Sequence, residues 1–194
     1  MKKAVVVWML VAITISLAFV VNKPMYTSIV IQPYENVSQE YIKYLDSGIR
    51  KVYPVVEIGL PRKLPKKAEH KGRYCADTLL IDLYRYSNNK DYLGVTEKDI
   101  FSEKNGNPYW GIFGLGNCPG RSCVISPYRL AKGQKKEQLL TTAYHELGHT
   151  FGLDHCPTLY CIMEDAKGKN TMQKEKDFCP KCKSYLVSKG WTLK

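Results

Sequence analysis

The sequence predicts an α+β fold: a mixed, twisted sheet carrying one functional helix, followed by a small cysteine-bearing C-terminal subdomain. Three observations predict it. The first third reads as strand, helix, strand; the centre holds two short apolar runs around a Pro-Gly turn; and one apolar-periodic helix runs into a dense group of His and Cys residues. A chain of 194 residues has single-domain length and buries a core without staples.

Residues 1–23 stand apart. "MKK" precedes the charge-free run "AVVVWMLVAITISLAFVV" (4–21), which fits a secretory signal or a single N-terminal membrane anchor. Ser16-Leu17-Ala18 offers a small-x-small cleavage site, yet the apolar run continues to Val21, so both readings stay open. Either way the expectation is an exported protein, secreted or membrane-attached through 4–21. Residues 24–194 form its one folded domain, outside the cytoplasm.

After the "NKP" break, "SIVIQP" (28–33) reads as a buried strand ended by Pro33. Residues 37–51 show helical spacing in Tyr41, Tyr44, Leu45 and Ile49, and "YPVVEIGLP" (53–61) is a second strand. This β-α-β unit predicts parallel strands. Residues 61–73, rich in Pro and Lys, read as an exposed loop. In "YCADTLLIDLYRY" (74–86), Ala76, Leu79, Leu80 and Leu83 share one helical face, with Cys75 expected buried on that helix. A short strand and turn follow in 92–101. "YWGIFGLG" (109–116) and "SCVISPYRL" (122–130) are two strands of a hairpin around "NCPGR". A helix then spans about 137–151, ended by Gly152, and "CKSYLVSKG" closes the chain as an amphipathic turn or two ending at Gly190.

The helix at 137–151 carries "HELGHTFGLDH". His145 and His149, four residues apart, project from one face, and Glu146 sits about 100° round beside them. Gly152 permits the sharp exit that returns His155 as a third ligand. Three imidazoles leave a fourth position for water, the mark of a catalytic rather than a structural zinc. Glu146 would accept the proton of that water, and a peptide carbonyl would be attacked. Every histidine except His70 lies in this motif, which disfavours plain core histidines.

Seven cysteines are present. Cys156 and Cys161 form a C-x4-C pair, and Cys179 and Cys182 a C-x2-C knuckle; together they can surround a second, closed, structural zinc. The rival reading pairs them as disulfides, which the short C-x2-C ring disfavours. Cys118 and Cys123 flank the hairpin loop, either as a disulfide or as two small thiols.

"HELGHTFGLDHCPTLYCIM" with the later "CPKC" resembles the signature of the archaemetzincins, and "YLGVTEKDIF" and the strand leading into "SPYRL" are similar to that family's central region. The likeness covers about 27–186 and implies a metzincin-like fold with a zinc-stabilised C-terminal subdomain. It implies His145, His149 and His155 on the catalytic zinc, Glu146 as general base and Met163 as the Met-turn residue. Cys156, Cys161, Cys179 and Cys182 then hold the second zinc, giving two zincs per chain. The strand near "SCVISP" would edge the cleft and pair with an extended peptide.

The reading is thus a zinc metallopeptidase acting on peptides or proteins as a monomer; the alternative is a non-catalytic zinc-binding interaction module. The net charge of +11, clustered at 61–73 and beyond Lys167, allows a nucleic-acid partner, but no RRM, KH or helix-turn-helix signature accompanies it, so none is expected.

Overall fold

The computed structural model describes residues 27–165 and 177–193. The expected leader, at 1–23, lies outside the described residues, among which no helix is long and apolar enough to cross a membrane.

Two sheets organise the molecule. The larger is built from β1 (Ile29–Pro33), β2 (Val56–Ile58), β5 (Asp91–Val95), β8 (Gly114–Gly116) and β9 (Ser122–Ile125), in the order β2-β1-β5-β9-β8. Its first four members are parallel, and only β8 runs antiparallel to β9. The smaller sheet has the order β3-β4-β6-β7, from β3 (Glu69–His70), β4 (Arg73–Cys75), β6 (Ile100–Lys104) and β7 (Asn107–Ile112).

β1 is buried at all five positions because the large sheet is covered on both faces. Period-two alternation sends Ile29, Ile31, Leu93, Val95, Cys123 and Ile125 into the main core, against α1 (Gln39–Arg50) and α3 (Lys135–Thr150). Val124 points the other way, into a second core with Leu79, Leu80 and Leu83 of α2 (Ala76–Tyr84). α1 begins where Ser38 Oγ accepts the Glu40 N–H, an N-cap. Tyr144 of α3 donates its hydroxyl to the Gly48 carbonyl of α1 at 2.8 Å, tying the two helices together. α4 (Pro180–Ser188) is followed by Trp191, which meets Tyr53, Tyr144, Phe151 and Phe178 edge-on and fastens the C-terminal segment to the main core.

The strand-helix-strand start, its parallel pairing and the helix at 74–86 match expectation. Four expectations are corrected. Residues 61–73 are no simple loop, for Leu64 and Ala68 are buried in the second core and 69–75 supplies two strands. "YWGIFGLG" is not one strand: it changes sheets at Phe113, its first half pairing with β6 and its second with β9. The strand from Ser122 stops at Ile125, and residues 126–130 turn away. Cys75 ends β4 and is half-buried, rather than lying on the helix face.

Candidate active site

α3 is an amphipathic helix pressed on the large sheet through Leu139, Ala143 and Leu147, which turns His145 and His149 toward the sheet's free edge at β8. Gly152 has φ +99°, which only a residue without Cβ adopts at no cost, and the chain leaves the helix there. The exit returns His155: its ring centroid lies 5.4 Å from that of His145 and 4.9 Å from that of His149.

The rings are oriented by the backbone. His145 Nδ1 lies 2.6 Å from the Ile162 carbonyl and His149 Nδ1 2.7 Å from the Leu153 carbonyl. A carbonyl only accepts, so both Nδ1 atoms carry the proton and both Nε2 lone pairs face inward, 3.1 Å apart. Tetrahedral zinc with bonds of 2.0–2.1 Å sets its nitrogens about 3.4 Å apart, so these histidines fit it. One ligand atom from each of the three histidines falls within 4.8 Å of the others. Burial holds His149 below the ordinary imidazole value, which keeps the lone pair available for a metal.

Glu146 is buried beside this centre, and burial pushes its carboxyl up to about 8. It opens into a cleft of about 660 Å³ lined by His145, Glu146 and His149 of α3 and by residues that include Trp110, Phe113, Leu115, Arg129, Ile162 and Glu164. The free edge bordering this cleft is β8. The expectation that the strand at "SCVISP" would edge it is therefore corrected: β9 is sandwiched between β5 and β8. Met163, fully buried, packs against α3 where a Cβ on Gly148 would lie 2.5 Å from its Sδ.

Cys156, Cys161, Cys179 and Cys182 converge as a second group, with their sulfurs within 4.8 Å of one another. All four are free thiols, and the Sγ atoms of Cys156 and Cys179 stand 3.8 Å apart. Four thiolates about 2.3 Å from a tetrahedral zinc lie about 3.8 Å apart, so the spacing of Cys156 and Cys179 suits one ion between them. The rival reading of disulfides Cys156–Cys161 and Cys179–Cys182 is set aside because all four thiols are free. The Cys182 N–H, in the first turn of α4, draws the Cys179 thiol down to about 6. The backbone bridge Cys161–Asp177 and the bond from Ile162 N–H to the Asp177 carbonyl join this knuckle to the segment under His145.

Cys118 and Cys123 are also free. Cys123 is fully buried in the sheet, while Cys118 Sγ lies 3.4 Å from the Leu153 carbonyl and 3.6 Å from Asp154 at the cleft rim. The residues brought together are thus those the sequence singled out. Sequence reasoning missed Arg129, assigned there to a strand, and the glycines of β8 that let α3 approach; neither carries a periodic signal.

A family model described as Peptidase family M54 matches residues 15–188. The archaemetzincin of Methanopyrus kandleri is 33% identical over 173 residues, 84% of this chain and 89% of that protein. That of Methanocaldococcus jannaschii is 30% identical over 177 residues, 86% of this chain and 96% of the relative. Among solved structures, the archaemetzincin of Archaeoglobus fulgidus complexed with malonate superposes with a TM-score of 0.71 at 26% identity, over 82% of this chain and 99% of its own. The M. kandleri structure gives 0.70 at 28%, over 87% and 98%.

Proposed function

We propose, from the premise that this chain belongs to peptidase family M54 and is an archaemetzincin-like zinc metallopeptidase, that Glu146 is its general base and His145, His149 and His155 are its catalytic zinc ligands. The observation that carries this is the convergence of three imidazoles and one buried carboxylate at the floor of a single cleft. When bound there, zinc supplies a Lewis acid with an open position, acidifying water and polarising a carbonyl. The protein's own groups do the rest. Glu146, through a carboxylate oxygen, takes the proton from the attacking water and delivers it to the departing amide nitrogen. The backbone of β8, the outermost strand of its sheet among the described residues, accepts an extended substrate as an added strand, so main-chain bonds supply affinity and the cleft lining supplies selectivity.

Cys156, Cys161, Cys179 and Cys182 hold a second, structural zinc, making two per chain. Their role is to fix the turn bearing Ile162 and Met163, whose Ile162 carbonyl orients His145. Met163 serves as the Met-turn floor beneath the ligand helix.

The test is Glu146→Gln in a peptide-cleavage assay with zinc content measured in parallel. Lost cleavage with zinc retained supports the assignment; an inert wild-type protein with zinc bound supports the interaction-module alternative. We further propose that the run at 4–21 directs export and that the enzyme acts as a monomer. Fractionation of cells with N-terminal sequencing, and sedimentation, test these directly.

A further inference from the structure

Arg129 stands on the cleft wall without a part in the chemistry above. Its Nε donates to Asp99 Oδ1 at 2.6 Å and its Nη2 to Asp99 Oδ2 at 2.7 Å. This side-on fork consumes neither proton of Nη1. The same carboxylate accepts from Arg73 Nε at 2.7 Å, so two guanidiniums share one buried anion and a positive charge is left over.

The guanidinium is also held flat. It lies over the backbone of Gly111, where a Cβ would collide with Cζ, Nε and Nη1. Its side chain is 38% exposed and faces the cleft. A planar cation clamped by a buried carboxylate along its Nε–Nη2 edge, on a side chain partly exposed in the cleft lining, has already lost its rotamer freedom, which is what a carboxylate-recognition site needs.

Its distance from the chemistry follows from the chain. Gly111 and Gly114 are three residues apart, a span of at most about 11 Å, and Gly114 touches Glu146. An extended substrate lying along this wall covers that distance in about three residues.

We propose that Arg129 is a specificity-determining residue that pairs through Nη1 with a substrate carboxylate within about three residues of the scissile bond. That carboxylate is either the peptide's C-terminal group or an Asp or Glu side chain. The inference rests on the cleft being the peptidase site. The preference is positional rather than general, because Glu103, Glu164 and Asp165 also line the cleft and repel a carboxylate placed elsewhere. Lys104, the other Lys or Arg of the cleft lining among the described residues, sits 4.0 Å from Asp165 and is engaged there.

The experiment compares matched peptides on the zinc-loaded enzyme: a free acid, its C-terminal amide, and versions with Asp or Glu near the cleavage point changed to Asn or Gln. The readout is the ratio of kcat/KM between each charged peptide and its neutral partner, which does not depend on how much of a variant is folded. For the wild type a ratio of about 10 to 100 is expected for one of the two carboxylate sources. In Arg129→Gln it should fall to about 1, with Arg129→Lys between, since an ammonium keeps charge but loses the fork. Loss on amidation identifies the C-terminal group; loss on Asp or Glu replacement identifies a side chain. A wild-type ratio near 1, or a ratio unchanged in Arg129→Gln, overturns the proposal. Failure of the underlying reading looks different: no peptide is cleaved, or Glu146→Gln cleaves as well as wild type.

Discussion

A Cβ placed on Gly114 would stand 2.7 Å from Glu146 Cγ and 2.8 Å from its Oε1, so the edge strand and the carboxylate on α3 fit only because residue 114 has no side chain. The same holds one pleat along, where a Cβ on Gly116 would meet the Glu146 carbonyl at 2.7 Å. β8 is thus a strand of low intrinsic preference, Gly-Leu-Gly, chosen for close approach rather than propensity. Gly114→Ala should displace the Glu146 carboxylate by a fraction of an ångström and lower kcat by about tenfold or more, with zinc content unchanged. Steady-state kinetics with metal analysis checks this, and an unaltered kcat would sink the positional role of that contact.

Gly148 and Met163 pose a stability question with a predictable sign. Alanine at a helical glycine normally gains about 1 kcal/mol, but here its Cβ would lie 2.5 Å from Met163 Sδ, and overpacking costs about 1–3 kcal/mol. Gly148→Ala alone should therefore destabilise the zinc-loaded protein. In a Met163→Ala background the obstruction is gone and the same change should stabilise, by up to about 1 kcal/mol. Urea unfolding of the four proteins in this cycle measures the coupling; an identical effect in both backgrounds would show that the two residues do not interact.

The two proposed metals should separate by function. Cys179→Ser should lower zinc from about two to about one per chain and also lower Tm, because the knuckle joins α4 to the segment carrying Ile162 and Met163. His145→Ala should lose the other zinc and all cleavage while leaving most of the Tm, since the core around α3 does not depend on the open site. Equal Tm losses in both variants would contradict the division into a structural and a catalytic ion.

What the sequence made legible was local. The 3.6-residue recurrence of α3 and the four-residue interval from His145 to His149 place two rings on one face by geometry alone, and Gly152 marks the exit through its absent Cβ. The alternation in β1 and the face of α2 are readable for the same reason. The smaller sheet was not readable, because β3 and β4 are two and three residues long and half polar, and they are held by the pairing of β3 with β4 and of β4 with β6, Tyr74 facing Ile100 and Cys75 facing Phe101. The change of sheet at Phe113 leaves no mark, since Trp110 and Leu115 look alike in a hydropathy pattern. Arg129 escaped notice for a related reason: its partner Asp99 lies 30 positions earlier, and an ion pair between distant loops has no period.

Asp91 offers a test of electrostatics away from either proposed metal site. It begins β5, is only 7% exposed, and burial pushes its carboxyl from 3.8 up to about 6, with Arg121 pulling partly the other way. Because the folded value is the higher one, the folded protein binds this proton more tightly than the unfolded chain does. The resulting stability is fully present below about pH 3.8 and is lost as pH rises through about 6, by up to about 3 kcal/mol. Asp91→Asn keeps the shape and removes the titration, so the variant should gain on the wild type as pH is raised. Both proteins release metal from histidine and cysteine in acid alike, which leaves only the difference between them informative. Chemical unfolding of the pair at about pH 5 and pH 7.5 should therefore show the asparagine variant relatively more stable at the higher pH. A difference that stays constant across that interval would mean that Asp91 is paired or hydrated in the folded protein and carries no burial penalty.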